Sequence, residues 1–468
     1  MSKQFYITTP IYYVNAKPHI GHAYTTAAAD VISRWHKLQG NETYFLTGTD
    51  EHGAKVSQAA QEAGKEPQAF TDEIAKEFES AWKNLNIENT DFIRTTSDRH
   101  KKGVAKFLGE LKEKGVLYEG EYKGLYCTGC ESFVIERELV DGKCPHHNKA
   151  PEQVTEKNWF FKLSEYISKV RELVESDTIK ISPDFAKKEV LGLLKQGLDD
   201  FSVTRENVEW GIKLPWDESQ TIYVWVEALQ NYISASDYNG EKAKWPADVH
   251  LIGKDIIKFH CVYWPAMLIA AGLELPKEIF VHGFFTIDGE KMSKSLGNVI
   301  DPNDLVKQYG IDGARYLILS QFPFGQDGDV KAEKFSEQYN TALANGIGNV
   351  VSRVSNLLEK DSISVDIKQG SDKKLKDKVK KAFEKHELHE VLSILWAELT
   401  IIDETLEKEK PWELDNVEKK KQILEPLAQN ILNVADLLQP FLPESSSEII
   451  KQFSSKSIKK GKPLFPRK

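Results

Sequence analysis

At 468 residues the chain is too long for one ordinary core, so two to four domains are expected. A hydrophobic fraction of 40% suits packed globular cores, and no stretch approaches the ~18 uninterrupted apolar residues that a membrane helix needs. The formal charge of -9 argues against a protein that coats nucleic acid indiscriminately, although from Gln338 onward 22 Lys and Arg stand against 20 Asp and Glu.

The first residues, to Tyr13, hold no long apolar region and no small-residue cleavage site, which argues against secretion. Three of the four cysteines fall between Cys127 and Cys144. Such clustering in so cysteine-poor a chain points to a metal in a reducing compartment, and the setting is expected to be cytoplasmic.

In chain order, residues 3–8 read as a buried strand followed by a turn at Pro10. An alanine-rich helix follows from Gly21 to Leu38 and stops at Gly40. A strand at Glu42–Leu46, a helix at Phe70–Leu85, a strand at Phe92–Arg94 and a helix at Val104–Lys114 continue the alternation. That alternation predicts a parallel sheet with helices on both faces. It breaks between about Tyr118 and Trp216, where the cysteines lie. It resumes with a strand at Thr221–Val226, a helix to Ser234, a strand at His250–Ile252, a helix to Ala271 and a strand at Ile279–His282. After Asp301 the chain reads as wholly helical, with amphipathic segments from Ala332 to Glu359 and from Leu375 onward. The expected fold is thus α/β: a Rossmann-like parallel sheet split by an insertion, followed by an all-α bundle.

His19-Ile20-Gly21-His22 stands between the first strand and the first long helix. A helix N-terminus directly after a strand favours phosphate, because free N–H groups and the helix dipole attract anions. Gly21 lets a flat base lie on the backbone, and two imidazoles add donors. Alone, His-x-Gly-His is a modest signal that a plain loop also fits. Lys291-Met292-Ser293-Lys294-Ser295, between Gly289 and Gly297, offers two lysines suited to ATP phosphates. A lone Lys-x-x-Lys is as readily an exposed polar loop; the pair of motifs is far more specific. Cys127-x-x-Cys130 followed by Cys144-x-x-His147 matches a tetrahedral structural zinc site, with His146 the alternative fourth ligand and buried thiols the plain alternative. Cys261 sits in an apolar helix and reads as core.

The histidine and lysine motifs together are the hallmark of class I aminoacyl-tRNA synthetases. Within that class the chain resembles the methionyl-tRNA synthetases from Phe5 to its end. The resemblance rests on Ile11-Tyr12-Tyr13-Val14-Asn15, Thr47-Gly48-Thr49-Asp50-Glu51-His52-Gly53, Tyr223-Val224-Trp225-Val226-Glu227-Ala228 and Gly253-Lys254-Asp255-Ile256-Ile257-Lys258-Phe259-His260. It implies an ATP site of His19, Gly21, His22, Gly253, Asp255, Lys291 and Lys294, with His19, His22, Lys291 and Lys294 also catalytic and Mg²⁺ arriving on ATP. It implies a methionine site in which Asp50 holds the ammonium and Ile11, Tyr13, Trp225, Leu229, Tyr232, Ile256 and His260 surround the side chain. Arg205 would pair with Asp50. Many family members carry proline where this chain has Leu229. A polarisable thioether suits an aromatic-lined pocket.

The resemblance also sets domain limits: 1–117 and 219–286 for the two halves of the catalytic domain, 118–218 for the zinc-bearing insertion, 287–337 for the lysine-loop region and 338–468 for an anticodon-binding bundle. In that bundle Asn349, Arg353 and Trp412 would read the anticodon of elongator and initiator tRNA(Met). One structural zinc, no membrane and a monomeric state are expected, the last because many family members continue into a dimerising appendage beyond the point matching Lys468.

Competing readings fail on particular grounds. Valine, isoleucine and leucine enzymes carry a larger editing insertion than this chain has room for. A cysteine-specific enzyme uses a zinc ligand near the histidine motif, yet residues 1–126 hold no cysteine. A catalytically silent tRNA-binding relative would not need both cationic motifs intact. A smaller nucleotidyltransferase leaves the helical C-terminal third unexplained.

Overall fold

The computed structural model describes residues 3–127, 132–134, 136, 139–145, 148–287, 289–292 and 298–468, with backbone alone at 132, 133 and 291. Two compact units form. One comprises Met1–Lys17, Asn41–Ser80 and Asn89–His282; the other comprises Pro18–Gly40, Ala81–Glu88 and Gly283–Lys468.

The first unit is built on six parallel strands: β1 (Gln4–Tyr13), β2 (Glu42–Asp50), β3 (Asp91–Arg94), β4 (Lys180–Ser182), β5 (Val249–Gly253) and β6 (Glu278–His282). Their order is β3-β2-β1-β5-β6-β4, and every pairing is parallel. Continuous burial along β1 and β5 marks a sheet covered on both faces. The helix Asp98–Glu113 supplies Val104, Phe107, Leu108 and Leu111, one helical stripe, to the main apolar cluster with Ile93, Leu46 and Val281.

Several expectations change. Pro10 does not end the first strand: pairing with β2 shifts register between Thr8 and Ile11, then resumes through Tyr13. A bulge absorbs the missing N–H and turns Ile11 and Tyr13 back into the ladder. β2 likewise runs four residues beyond Leu46, carrying Asp50 to its end. β4 had no expectation at all; three residues give no readable period, and pairing with β6 creates the strand.

Thr221–Val226 is not a strand of the parallel sheet. A strand ends at Ile222 in a small antiparallel sheet, and a helix begins at Val224. β-branched and aromatic residues favour strands locally, but burial decides otherwise here. Helical spacing brings Trp225, Leu229 and Tyr232 onto one stripe across the helices Val224–Leu229 and Asn231–Ser234. In the break between β3 and β5, the strands Leu117–Cys127 and Glu152–Phe161 form a long antiparallel pair, flanked by Ser132–Val134 and Phe201–Ser202.

The second unit carries the helix Ile20–Leu38 and the helices after Pro302. Its chain after Asp301 is not wholly helical, since Gly328–Val330 pairs in parallel with Phe285–Ile287. The span 332–360 is helical throughout but kinks at Gly346. Helix Lys373–Phe383 buries Leu375, Val379, Ala382 and Phe383 and turns its lysines outward. Asp30 and Arg315, both fully buried, pair at 2.7 Å. Arg315 also donates to the carbonyls of Leu85, Pro440 and Phe441, at 3.1, 2.8 and 2.8 Å. Every donor edge of the guanidinium is thus met, which a buried charge requires. Among the described residues no helix is long and apolar enough to cross a membrane.

Candidate active site

In the first unit, Tyr13 and Asp50 are register neighbours at the carboxyl ends of β1 and β2, and Val14 N donates to Asp50 O at 3.2 Å. The carboxyl edge of a parallel sheet is where such folds bind ligands. Asp50 is 3% exposed. The residues after it are locked on both sides. Arg94 grips Glu51 through two hydrogen bonds of 2.7 and 2.9 Å, and Trp210 Nε1 donates to Glu51 O at 2.6 Å. His52 Nδ1 lies 2.9 and 3.1 Å from the two oxygens of Glu227, and both side chains are buried. Burial raises the Glu227 carboxyl above its usual range.

Leu229, Tyr232 and Ile256 belong to the main apolar cluster, and Ile11, Tyr13 and Trp225 pack against it. Trp225 stacks on Phe259 with centroids 4.2 Å apart. His260 Nδ1 faces the Ile256 carbonyl at 3.1 Å, so that nitrogen carries the proton. Nε2 is then the acceptor, and Tyr232 OH donates to it at 2.8 Å. Burial pushes His260 down to about 4, keeping the ring neutral. Arg205, 3% exposed, has Nη1 3.5 Å from Glu156 Oε2. Its guanidinium faces the rings of Tyr126 and Tyr223 at 4.4 and 4.9 Å. A Cβ on Gly253 would stand 2.6 Å from Asp255 Oδ1, so a side chain there would have to displace that carboxylate.

In the second unit His19 caps the helix Ile20–Leu38. Its Nδ1 accepts from Gly21 N at 3.1 Å, while His19 N donates to His22 Nδ1 at 3.3 Å. This reciprocal cap stacks the two imidazoles with centroids 3.7 Å apart. Burial pushes His19 down to about 4 and His22 well below its ordinary value, His19 adding to the latter. Both rings are therefore neutral at pH 7 with the proton on Nε2, so they are dipolar donors rather than cations. A Cβ on Gly21 would meet Met292 Cε at 2.7 Å, and Ile20 N donates to Ile300 O at 2.9 Å. The histidine and lysine motifs thus approach each other at one helix N-terminus through Gly21 and Met292. Lys291 ends a short hairpin strand, with only its backbone described; Lys294 lies outside the described residues.

Cys127 and Cys144 are buried together in a small cluster with Val134, apart from the main core. Cys130, His146 and His147 lie outside the described residues, and among those described no three metal-ligating side chains are grouped. Cys261 is buried in the main cluster, and burial raises its thiol, as a core cysteine requires.

In the bundle, Arg353 forms ion pairs of 2.7 Å with Asp403 and 2.6 Å with Glu407. Its guanidinium lies 5.3 Å from the Trp412 ring centroid, and Trp412 is 39% exposed. Asn349 sits one turn earlier on the helix Gly348–Lys360. Trp412 leaves the helix Leu388–Glu409 through the left-handed Lys410 and Pro411, which turn it outward. Sequence reading passed over His52, Glu227, Phe259 and Met292, although each lies within a quoted motif. It also missed Glu156, Asp403 and Glu407, which carry no motif and become partners only through packing.

A parallel sheet with a buried aspartate at its carboxyl edge, and a helix N-terminus capped by histidine, are features of class I nucleotide-binding enzymes. The family model described as tRNA synthetases class I (M) matches residues 5–153 and 147–355. The chain is 40% identical over 505 residues to a methionine–tRNA ligase of Caldanaerobacter subterraneus, covering 100% of this chain and 79% of that protein. It is 43% identical over 473 residues to one of Thermotoga maritima, covering 96% and 75%. The structure of Mycobacterium tuberculosis methionyl-tRNA synthetase in complex with methionyl-adenylate superposes with a TM-score of 0.93 at 34% identity, covering 99% of this chain and all of that one. The chain belongs to the methionine branch of the class I tRNA synthetases.

Proposed function

We propose that the chain performs its family's reaction with the residues named above. Methionine's carboxylate attacks the α-phosphate of ATP, pyrophosphate leaves, and the terminal hydroxyl of tRNA then attacks the adenylate carbonyl as AMP departs. A carboxylate is already a competent nucleophile, so alignment and charge stabilisation suffice. Asp50 holds the ammonium, with Arg205 as its proposed partner, and Ile11, Tyr13, Trp225, Leu229, Tyr232, Ile256 and His260 surround the thioether. His19 and His22 donate from neutral Nε2–H groups to phosphate oxygens, Gly21 admits the base, and Lys291 and Lys294 meet the charge on the leaving pyrophosphate. Gly253 and Asp255 are the nucleotide-binding residues proposed in the first unit.

The observation that best supports this reading is the approach of Met292, which lies between the two motif lysines, to Gly21 at the helix N-terminus that His19 caps. Pyrophosphate exchange measured with each amino acid in turn tests it. Exchange should depend on methionine, and Lys294→Ala should lower it by about 10²–10³, the usual loss for one transition-state donor. Exchange driven by another amino acid, or unchanged in Lys294→Ala, overturns the assignment.

Zinc fits the insertion: Cys127 and Cys144 share one buried cluster. With Cys130 and His147 they would supply the soft, four-ligand set of a closed structural site, and the metal would tie the hairpin ends together. Asn349, Arg353 and Trp412 form the proposed anticodon surface, serving elongator and initiator tRNA(Met) alike because both present the same anticodon. A cytoplasmic setting suits those substrates. The expected monomer has its own check, light scattering against the 53.2 kDa chain mass.

A further inference from the structure

We propose that His52 and Glu227 form a positioning pair that sets the span of the amino-acid site, from the Asp50 carboxylate to the Trp225 wall, and so sets selectivity for methionine. The proposal rests on Asp50 and Trp225 being the two ends of that site. His52 lies two residues after Asp50, and Glu227 lies two after Trp225, so one contact joins segments 175 positions apart. The contact is buried and doubled, with His52 Nδ1 donating to both carboxylate oxygens at 2.9 and 3.1 Å. His52 is 2% exposed and Glu227 is fully buried.

Both segments are held firmly elsewhere, which makes this contact a spacer rather than a loose brace. On the His52 side, Gly53 N donates to Trp210 O at 3.1 Å, and Arg94 holds Glu51. On the Glu227 side, Tyr232 is held through its hydroxyl by His260 and through its carbonyl by Tyr6 OH, at 2.8 Å each. Between those fixed points, the His52–Glu227 contact joins the short helix bearing Trp225 to the segment after Asp50. Both Glu227 oxygens face the one His52 Nδ1, so the contact fixes the distance of that helix from the segment after Asp50. Neither side chain need touch substrate; they act through Asp50 and Trp225, as positioning residues do.

The test varies methionine and ATP separately in pyrophosphate exchange, and compares methionine with norleucine. Glu227→Leu fills the same space without the bond. It should raise KM for methionine about tenfold and shrink the preference over norleucine by a similar factor, the scale of a one-group discrimination. KM for ATP should stay within about twofold, since neither side chain of the pair is among the proposed nucleotide-binding residues. Glu227→Gln and His52→Asn, which retain a hydrogen bond at the same place, should behave like the parent chain. If Glu227→Leu fails to fold, His52→Leu replaces it with the same expectation. A leucine variant that folds with unchanged methionine KM and unchanged selectivity overturns the proposal, as does one in which the ATP and methionine constants rise together. Asp50→Ala separates the two levels. If it leaves methionine KM unchanged, the reading of the site itself fails; if it raises KM while the leucine variants do not, only the positioning pair fails.

Discussion

Met292 Cε stands 2.7 Å from the point where a Cβ on Gly21 would begin. The glycine of the histidine motif is thus spoken for even without nucleotide. Its missing side chain makes room for the methionine of the lysine motif. Met292 is the far end of a flexible chain and can swing away, so Gly21→Ala should fold and melt close to the parent. Displacing the lysine loop should nonetheless lower methionine-dependent exchange by about tenfold to a hundredfold, the range that a misplacement of this size produces. Met292→Ala in the same chain should recover part of that loss. Full activity in Gly21→Ala would mean that the approach has no part in catalysis.

Trp412 is half-exposed and lies under Arg353, which is itself held by Asp403 and Glu407. Part of the ring is thus open to solvent. Trp412→Ala should weaken charging of tRNA by about tenfold to a hundredfold, matching the ~1–3 kcal/mol of one stacked base. Exchange and melting temperature should hold. An earlier melt with charging restored in the cold would assign the ring to packing instead.

Elemental analysis should find about one zinc per chain, as a closed four-ligand site requires. Cys127→Ser should lose the metal and loosen the hairpin 117–161, seen as faster amide exchange there, while the parallel sheet keeps its protection. Retention of full zinc by Cys127→Ser would remove Cys127 from the ligand set.

Burial lowers the affinity for protons of His19, His22, His100, His250 and His260, His19 and His260 to about 4 and His100 to about 3. Their ordinary value is 6.5. Between these values the unfolded chain binds protons that the folded chain refuses, so stability is fully present above pH 6.5 and declines as pH falls towards 4. Thermal melts should therefore drop by several degrees between pH 7 and pH 5. A flat profile over that window would contradict neutral, buried imidazoles.

Much of this protein was legible in its residues. Helix and strand periods repeat over enough residues to survive as local signals, and hence the parallel sheet and the later helices could be read in order. His19-Ile20-Gly21-His22, Lys291-Met292-Ser293-Lys294-Ser295 and the cysteine spacing could be read because their chemistry demands fixed residue types close together in the chain. Packing decided the rest. Pro10 sits inside a strand because a bulge could absorb its missing N–H. Thr221–Val226 divides between a strand end and a helix because Trp225, Leu229 and Tyr232 bury along one stripe. β4 exists because β6 offers an unpaired edge. The links His52–Glu227, Arg205–Glu156 and Asp30–Arg315 span 175, 49 and 285 positions. No local pattern encodes such partners, because a buried charge is satisfied by whichever group the fold brings to it.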